Sequence, residues 1–114
     1  MPAINNIQLL KDSAIDLLKK LIATSSFSTE EAQTADLIFG FLEKNNIKAN
    51  RIKNNIWATN LHFDNTKKTL LLNSHHDTVK PNKGYTKDPF APLLEDGKLY
   101  GLGSNDAGAS LVSL

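Results

Sequence analysis

The stretch Leu70-Leu71-Leu72-Asn73-Ser74-His75-His76-Asp77-Thr78-Val79 changes character halfway along, and that change limits what the chain can become. Its first half is continuously apolar, the pattern of a strand buried on both faces, whereas its second half gathers three ionisable side chains. Core strands do not ordinarily end this way. In an open α/β sheet the carboxyl ends of the strands open onto the crevice where ligands sit, so charged groups there point to a site. Side chains alternate along an extended segment, which places His75 and Asp77 on one face and His76 on the other. That placement lets a carboxylate steady a neighbouring imidazole used as a metal ligand or a base.

Composition narrows the chemistry. With 114 residues the chain is at most one domain, and a net charge of +1 without a clustered basic face excludes an electrostatic footprint for nucleic acid. There is no cysteine, so a metal would have to be held by His and carboxylate. No run approaches the roughly 20 apolar residues needed to span a bilayer, and the N-terminus lacks a basic region followed by an apolar one. The expectation is a cytoplasmic chain with no membrane partner.

Around the central stretch the local patterns are clear. Ile7, Leu10, Ala14, Leu17, Leu18, Leu21 and Ile22 recur at helical spacing, predicting an amphipathic helix that ends between Ala23 and Ser26. Mixed charges on its polar face argue against a membrane-surface helix. Ser28-Thr29-Glu30-Glu31 has the form of a capping box and predicts a second helix, its buried stripe Ala35, Ile38, Phe39 and Leu42 and its stop Asn45-Asn46. Capping and turn formation account for the serines between the helices without chemistry. Ile47 to Ile52 and Ile56 to Leu61 read as strands joined at Lys53-Asn54-Asn55, with Trp57 in the core or on a partly buried sheet surface. His62 reads as a surface residue with no ligand role. A long irregular connection through Asp88-Pro89-Phe90-Ala91-Pro92 follows the central stretch, and Asp96-Gly97 between short apolar segments signals a second hairpin. The glycine-rich turn Gly101 to Gly108 carries one acid, Asp106, and a helix begins at Ala109.

Three chemistries compete for these residues. His75 with Asp77 suits a metal ligand oriented by a carboxylate, and Asp106 adds a hard oxygen donor on a turn whose glycines permit close approach. A hydrogen-bonded polar strand end explains His75 and Asp77 equally well. Gly101-x-Gly103 followed by Gly108 has the third glycine out of register for dinucleotide binding, and Asp106 would repel a pyrophosphate. A Ser-His-Asp hydrolase lacks the nucleophile-elbow motif, and His75 and Asp77 lie too close in sequence for its usual arrangement.

The order of the pieces resembles the zinc-dependent amidohydrolase and exopeptidase family that includes acetylornithine deacetylase, succinyl-diaminopimelate desuccinylase and glutamate carboxypeptidases. The likeness rests on the helical start with its Ser-rich link, Ser74-His75-His76-Asp77-Thr78-Val79-x-Pro81, Asp88-Pro89-Phe90-x-Pro92, Asp96-Gly97-x-Leu99-Tyr100-Gly101-x-Gly103, and Asp106. It implies an α/β fold, an αβα three-layer sandwich of the zinc-exopeptidase type, of which residues 1–114 would be the N-terminal portion of the catalytic domain. It further implies a site with two zinc ions, cobalt or manganese being alternative metals. By the resemblance His75 ligates one ion, Asp77 is the catalytic-site carboxylate that orients the His75 ring, and Asp106 bridges both ions and precedes a cis peptide at Asp106-Ala107. The implied reaction is hydrolysis of the amide bond of an N-acyl amino acid, acetylornithine deacetylase-like, or of a small peptide, by a full-length protein that forms a homodimer. A Glu-Glu pair that the family uses for the general base and the next ligand would lie beyond residue 114, so the chain by itself is expected to be inactive.

Two positions depart from the family pattern. Gly108 stands where a basic residue often follows the bridging acid, and Leu102 stands where an arginine often separates the two glycines. Neither is a ligand position, so the departures bear on substrate class rather than on metal binding. The competing reading from another class is a non-catalytic α/β binding or interaction module that uses His75 and Asp77 structurally.

Overall fold

The computed structural model describes residues 4–114. Helix α1 (Ile4–Ala23) follows the predicted stripe, and its C-terminal half supplies most of the core: Leu17, Leu18, Leu21 and Ile22 are buried. Ile7 and Leu10 on the same stripe stay exposed, because α2 and α3 cover only the later turns. Thr24 closes the helix, its backbone N–H reaching the Leu21 carbonyl and its hydroxyl donating to the Lys20 carbonyl at 2.9 Å.

The second helix, α2 (Ala32–Lys44), begins later than a capping box at Ser28 requires. Its N-cap is Glu31, with no side-chain capping bond. A turn intervenes, with Glu30 N–H on the Phe27 carbonyl and Thr29 at φ 76°, and it carries Ser28 away from the helix axis. The predicted reciprocal cap is therefore absent, and the Ser28 hydroxyl is free for another partner. The C-terminal stop falls where Asn45-Asn46 placed it: Asn45 Nδ2 donates to the Phe41 carbonyl, Asn46 is left-handed at φ 59°, and Ile47 N–H reaches back to Leu42.

Strands β1 (Ala49–Ile52) and β2 (Asn55–Ala58) pair antiparallel, shorter than predicted, around Lys53-Asn54. Arg51 on β1 pairs with Asp36 on α2 and fastens this hairpin to the helix, while Trp57 remains half-exposed. The second hairpin, β3 (Leu93–Glu95) and β4 (Lys98–Tyr100), turns at Asp96 and Gly97, both with positive φ, as a type I′ turn demands. Lys87 braces it from outside, with Nζ 2.8 Å from Glu95 and 4.5 Å over the Tyr100 ring.

The expected buried strand at Leu70 to Val79 is not formed. The segment is extended, but among the described residues its only bridge is Thr78 with Phe27, in parallel. Leu70 and Leu71 are about four-fifths exposed, at 82% and 80%. A strand is stabilised by neighbours on its edges and faces, and none of the described elements stands beside Leu70-Leu71-Leu72. The described sheets are two separate antiparallel pairs, so the fold mixes helices with small sheets rather than displaying a central parallel one. The radius of gyration, 15.4 Å, exceeds the roughly 13 Å of a compact chain of this length, in keeping with so much uncovered apolar surface.

After β4 the chain makes a kinked turn, Ser104–Gly108, containing a cis peptide at Asp106-Ala107, and enters α3 (Ala109–Ser113). Two glycines make this packing feasible. Gly103 has φ 76°, and a Cβ there would come within 2.6 Å of Thr78 Cγ2. A Cβ on Gly108 would come within 2.5 Å of Leu18 Cδ1 and 2.6 Å of the Gly103 carbonyl oxygen. No described helix is long and apolar enough to cross a membrane.

Candidate active site

The site forms where the end of the extended segment meets the kinked turn. Alternation puts His75 and Asp77 on one side, and the turn brings Asp106 to the same side although it lies 31 positions beyond His75. His75 Nε2 is 3.0 Å from Asp106 Oδ1. On the opposite edge of the ring, Nδ1 is 3.1 Å from the Asp77 carbonyl oxygen and 3.2 Å from Asp77 Oδ1. All three residues predicted from the sequence are thus brought together, with one imidazole between two carboxylates.

This arrangement sets the charge states. Desolvation, the largest single influence on His75, disfavours its protonation, but the Asp77 carbonyl, the Asp106 hydrogen bond and the two negative charges together outweigh it and raise the pKa above 6.5. Asp77 moves the other way. A hydrogen bond from Ser28 is the main cause, opposed by desolvation and reinforced by His75, and its carboxyl lies below the ordinary 3.8.

Ser28 is the site residue that sequence patterns missed. Its hydroxyl donates to Asp77 Oδ2 at 2.6 Å. Backbone pairing delivers it: Thr78 N–H bonds the Ser26 carbonyl at 2.7 Å, and Ser28 N–H bonds the Thr78 carbonyl at 3.2 Å. The small-apolar-small alternation of Ser26-Phe27-Ser28 was the available signal of a short extended segment, while its pairing partner was not visible in the sequence.

His76 points away, as alternation predicts. Its Nδ1 lies 2.8 Å from Thr34 Oγ1 on α2 and its Nε2 lies 2.9 Å from the Asn54 carbonyl in the β1–β2 turn. Both ring nitrogens are committed to structure. His62 is exposed, in accord with its surface reading.

The donor chemistry at His75 and Asp106 bears on whether a zinc-type ion suits the site. Zinc binds imidazole nitrogen and carboxylate oxygen at about 2.0 to 2.2 Å, so two such donors on one tetrahedral ion stand about 3.3 Å apart. The 3.0 Å between Nε2 and Oδ1 needs to open by only a few tenths of an ångström. The remaining ring nitrogen faces a carboxylate, the usual support for a metal-binding histidine. These residues fit part of a site. Among the described residues no group of three or more His, Cys, Asp or Glu side chains could hold an ion by itself.

An open groove of about 380 Å³ lies over the three residues, lined also by Tyr85, Ser104 and Asn105. That is within the range of small-molecule sites.

Comparison with known proteins decides the kinship. The chain is 32% identical over 108 residues to the succinyl-diaminopimelate desuccinylase of Xanthomonas oryzae pv. oryzae, which covers 90% of this chain and 28% of that protein. It is 34% identical over 110 residues to the enzyme of the same name from Buchnera aphidicola subsp. Acyrthosiphon pisum, with the same two coverages. The chain belongs to the amidohydrolase and exopeptidase family that includes succinyl-diaminopimelate desuccinylase. A third member, from Stenotrophomonas maltophilia, is 30% identical over 107 residues, 89% of this chain and 28% of that protein. No family model matches the chain. The chain spans under a third of the length of these relatives. Within this amide-hydrolysing family, the two departures noted in the sequence have packing reasons here. Leu102 is buried, and Gly108 lies against Leu18 where a side chain would collide.

Proposed function

We propose that this chain supplies one side of the active site of a metal-dependent hydrolase that cleaves the amide bond of an N-acyl amino acid. The observation that carries the reading is the convergence of His75 Nε2 and Asp106 Oδ1 at 3.0 Å, with Asp77 behind the imidazole. In this reading His75 and Asp106 would hold the metal, and the αβα sandwich would be completed by residues outside this chain. A bound metal pair would supply polarisation of the scissile carbonyl and a water acidic enough to yield hydroxide near neutral pH.

The chain's own residues have distinct tasks. Asp77 holds the His75 proton on Nδ1, which leaves the Nε2 lone pair directed at the position shared with Asp106. Asp106 presents its oxygen from a turn whose close packing on Leu18 and Thr78 limits its movement. The groove beside Tyr85 and Asn105 offers room for a small acylated substrate. The named activity of the relatives favours an N-succinyl amide of a diamino acid as substrate, with an N-acetyl amide, as in acetylornithine, as the competing specificity. Zinc is the proposed metal and cobalt or manganese the substitutes; a homodimer and a cytoplasmic location complete the proposal.

A chimaera tests it. The chain replaces the matching region of the Xanthomonas oryzae desuccinylase, and release of succinate or acetate from N-acyl diamino acids is measured with and without zinc. Zinc-dependent release, lost with His75→Ala or Asp106→Ala, supports the reading. Full activity in the His75→Ala chimaera, or turnover by the 114-residue chain alone, overturns it.

A further inference from the structure

The serine link between α1 and α2 does more than connect helices. Ser26-Phe27-Ser28 is held alongside Thr78 by two backbone hydrogen bonds that flank Phe27, which also meets Phe90 edge to face with ring centroids 6.1 Å apart. Ser26 is buried. This anchoring fixes the Ser28 backbone relative to Asp77, so the 2.6 Å bond from Ser28 Oγ to Asp77 Oδ2 joins two segments already in register. Asp77 then uses its other oxygen, Oδ1, towards His75 Nδ1 at 3.2 Å. One oxygen of the carboxylate is therefore held by a hydroxyl, and the other lies within ion-pair range of an imidazole whose Nδ1 also bonds the Asp77 carbonyl oxygen at 3.1 Å.

A side-chain carboxylate on an exposed segment has freedom about χ1 and χ2, and Asp77 faces His75 in only part of that range. The hydroxyl selects that part. We propose that Ser28 is a positioning residue for the metal site, locking the Asp77 carboxylate in the rotamer that holds the His75 ring with Nε2 towards Asp106. The inference rests on the functional reading above, because it assigns the locked imidazole to a metal. The depressed Asp77 carboxyl, whose main cause is the Ser28 bond, agrees with a carboxylate that stays charged for this role.

The test uses the full chain, isotopically labelled, in three forms: wild type, Ser28→Ala and Ser28→Thr, with Ser25→Ala as a control at an exposed neighbour. Without metal, three-bond couplings report χ1 of Asp77 and His75. The wild type and Ser28→Thr are expected to hold one rotamer, and Ser28→Ala to average among several, with the backbone resonances of Ser26 to Ser28 and Thr78 otherwise retained. Zinc alone is then titrated calorimetrically into the desuccinylase chimaera carrying each form, which supplies the ligands this chain lacks among its described residues. Removing a residue that supports a ligand ordinarily lowers metal affinity 10- to 100-fold; Ser28 acts one bond further away, so a loss of about 3- to 10-fold is expected, restored by Thr. Unchanged Asp77 couplings in Ser28→Ala overturn the proposal, as do averaged couplings with undiminished zinc affinity. If no form binds zinc, the metal reading falls and the assignment of Ser28 to the metal site falls with it, while single-rotamer couplings lost in Ser28→Ala would still show the lock itself.

Discussion

Thr34 Oγ1 lies 2.8 Å from His76 Nδ1, so a fully buried hydroxyl on α2 anchors the histidine that stands between the two site residues His75 and Asp77. The other ring nitrogen reaches the Asn54 carbonyl, making His76 a strut between α2, the first hairpin and the site segment. Thr34→Val keeps the shape and removes this bond together with the hydroxyl's bond to the Glu31 carbonyl at 3.1 Å. Leaving a part-buried ring nitrogen unpaired costs about 1 to 3 kcal/mol, and urea unfolding should show a loss of that size. An unchanged midpoint would show that the strut contributes nothing.

Metal addition should separate the three histidines. Zinc titrated into the labelled chimaera, where the remaining ligands are supplied, is expected to shift the ring resonances of His75, with the Asp106 backbone following, and to leave His62 and His76 where they were. A zinc-induced shift at His76 with none at His75 would reverse the assignment drawn from the geometry.

In the metal-free chain, acid and base limits follow from opposite shifts at the site. Asp77 has its folded pKa lowered from 3.8, mainly by the Ser28 bond, so its contribution to stability is present above that value and is lost as pH falls through the depressed one. His75 has its folded pKa raised from 6.5 against desolvation, so its contribution is fully present below 6.5 and is lost as pH rises through the higher folded value. Stability from the pair should therefore be greatest between these limits. Urea midpoints measured across pH should flatten on both flanks in Asp77→Asn; identical profiles for variant and wild type would contradict the assignment.

Close packing of the kinked turn makes Gly108 intolerant of a side chain. A Cβ would press on Leu18 and on the Gly103 carbonyl, and the backbone atom cannot move aside as a side chain can. Gly108→Ala should destabilise the chain by about 1 to 3 kcal/mol, the usual cost of overpacking. Thermal unfolding of the variant measures it, and no change in midpoint would mean that the turn relaxes freely.

Local chemistry was the part most legible in the sequence. Asp96-Gly97 specified its hairpin because two adjacent positive φ angles suit few residue pairs, and Asn45-Asn46 ended α2 because asparagine tolerates the left-handed conformation. His75, Asp77 and Asp106 were selected by alternation and by family resemblance, and they do converge. What the sequence concealed was long-range pairing. Ser28 carries a capping-box pattern, yet a turn at Thr29 and a bridge to Thr78 redirect it to Asp77, 49 positions away. The leucine run was misread for a related reason: apolar continuity signals burial, but burial requires a neighbour, and none of the described elements provides one.

Leu70-Leu71-Leu72 combines apolar side chains with extended backbone whose N–H and C=O groups find no partner among the described residues. Such an edge templates intermolecular β-pairing, and Lys67 and Lys68 immediately before it act as charged gatekeepers. The same three residues therefore favour self-association of the chain when it is handled alone, and its onset should move to lower protein concentration as salt screens those two lysines.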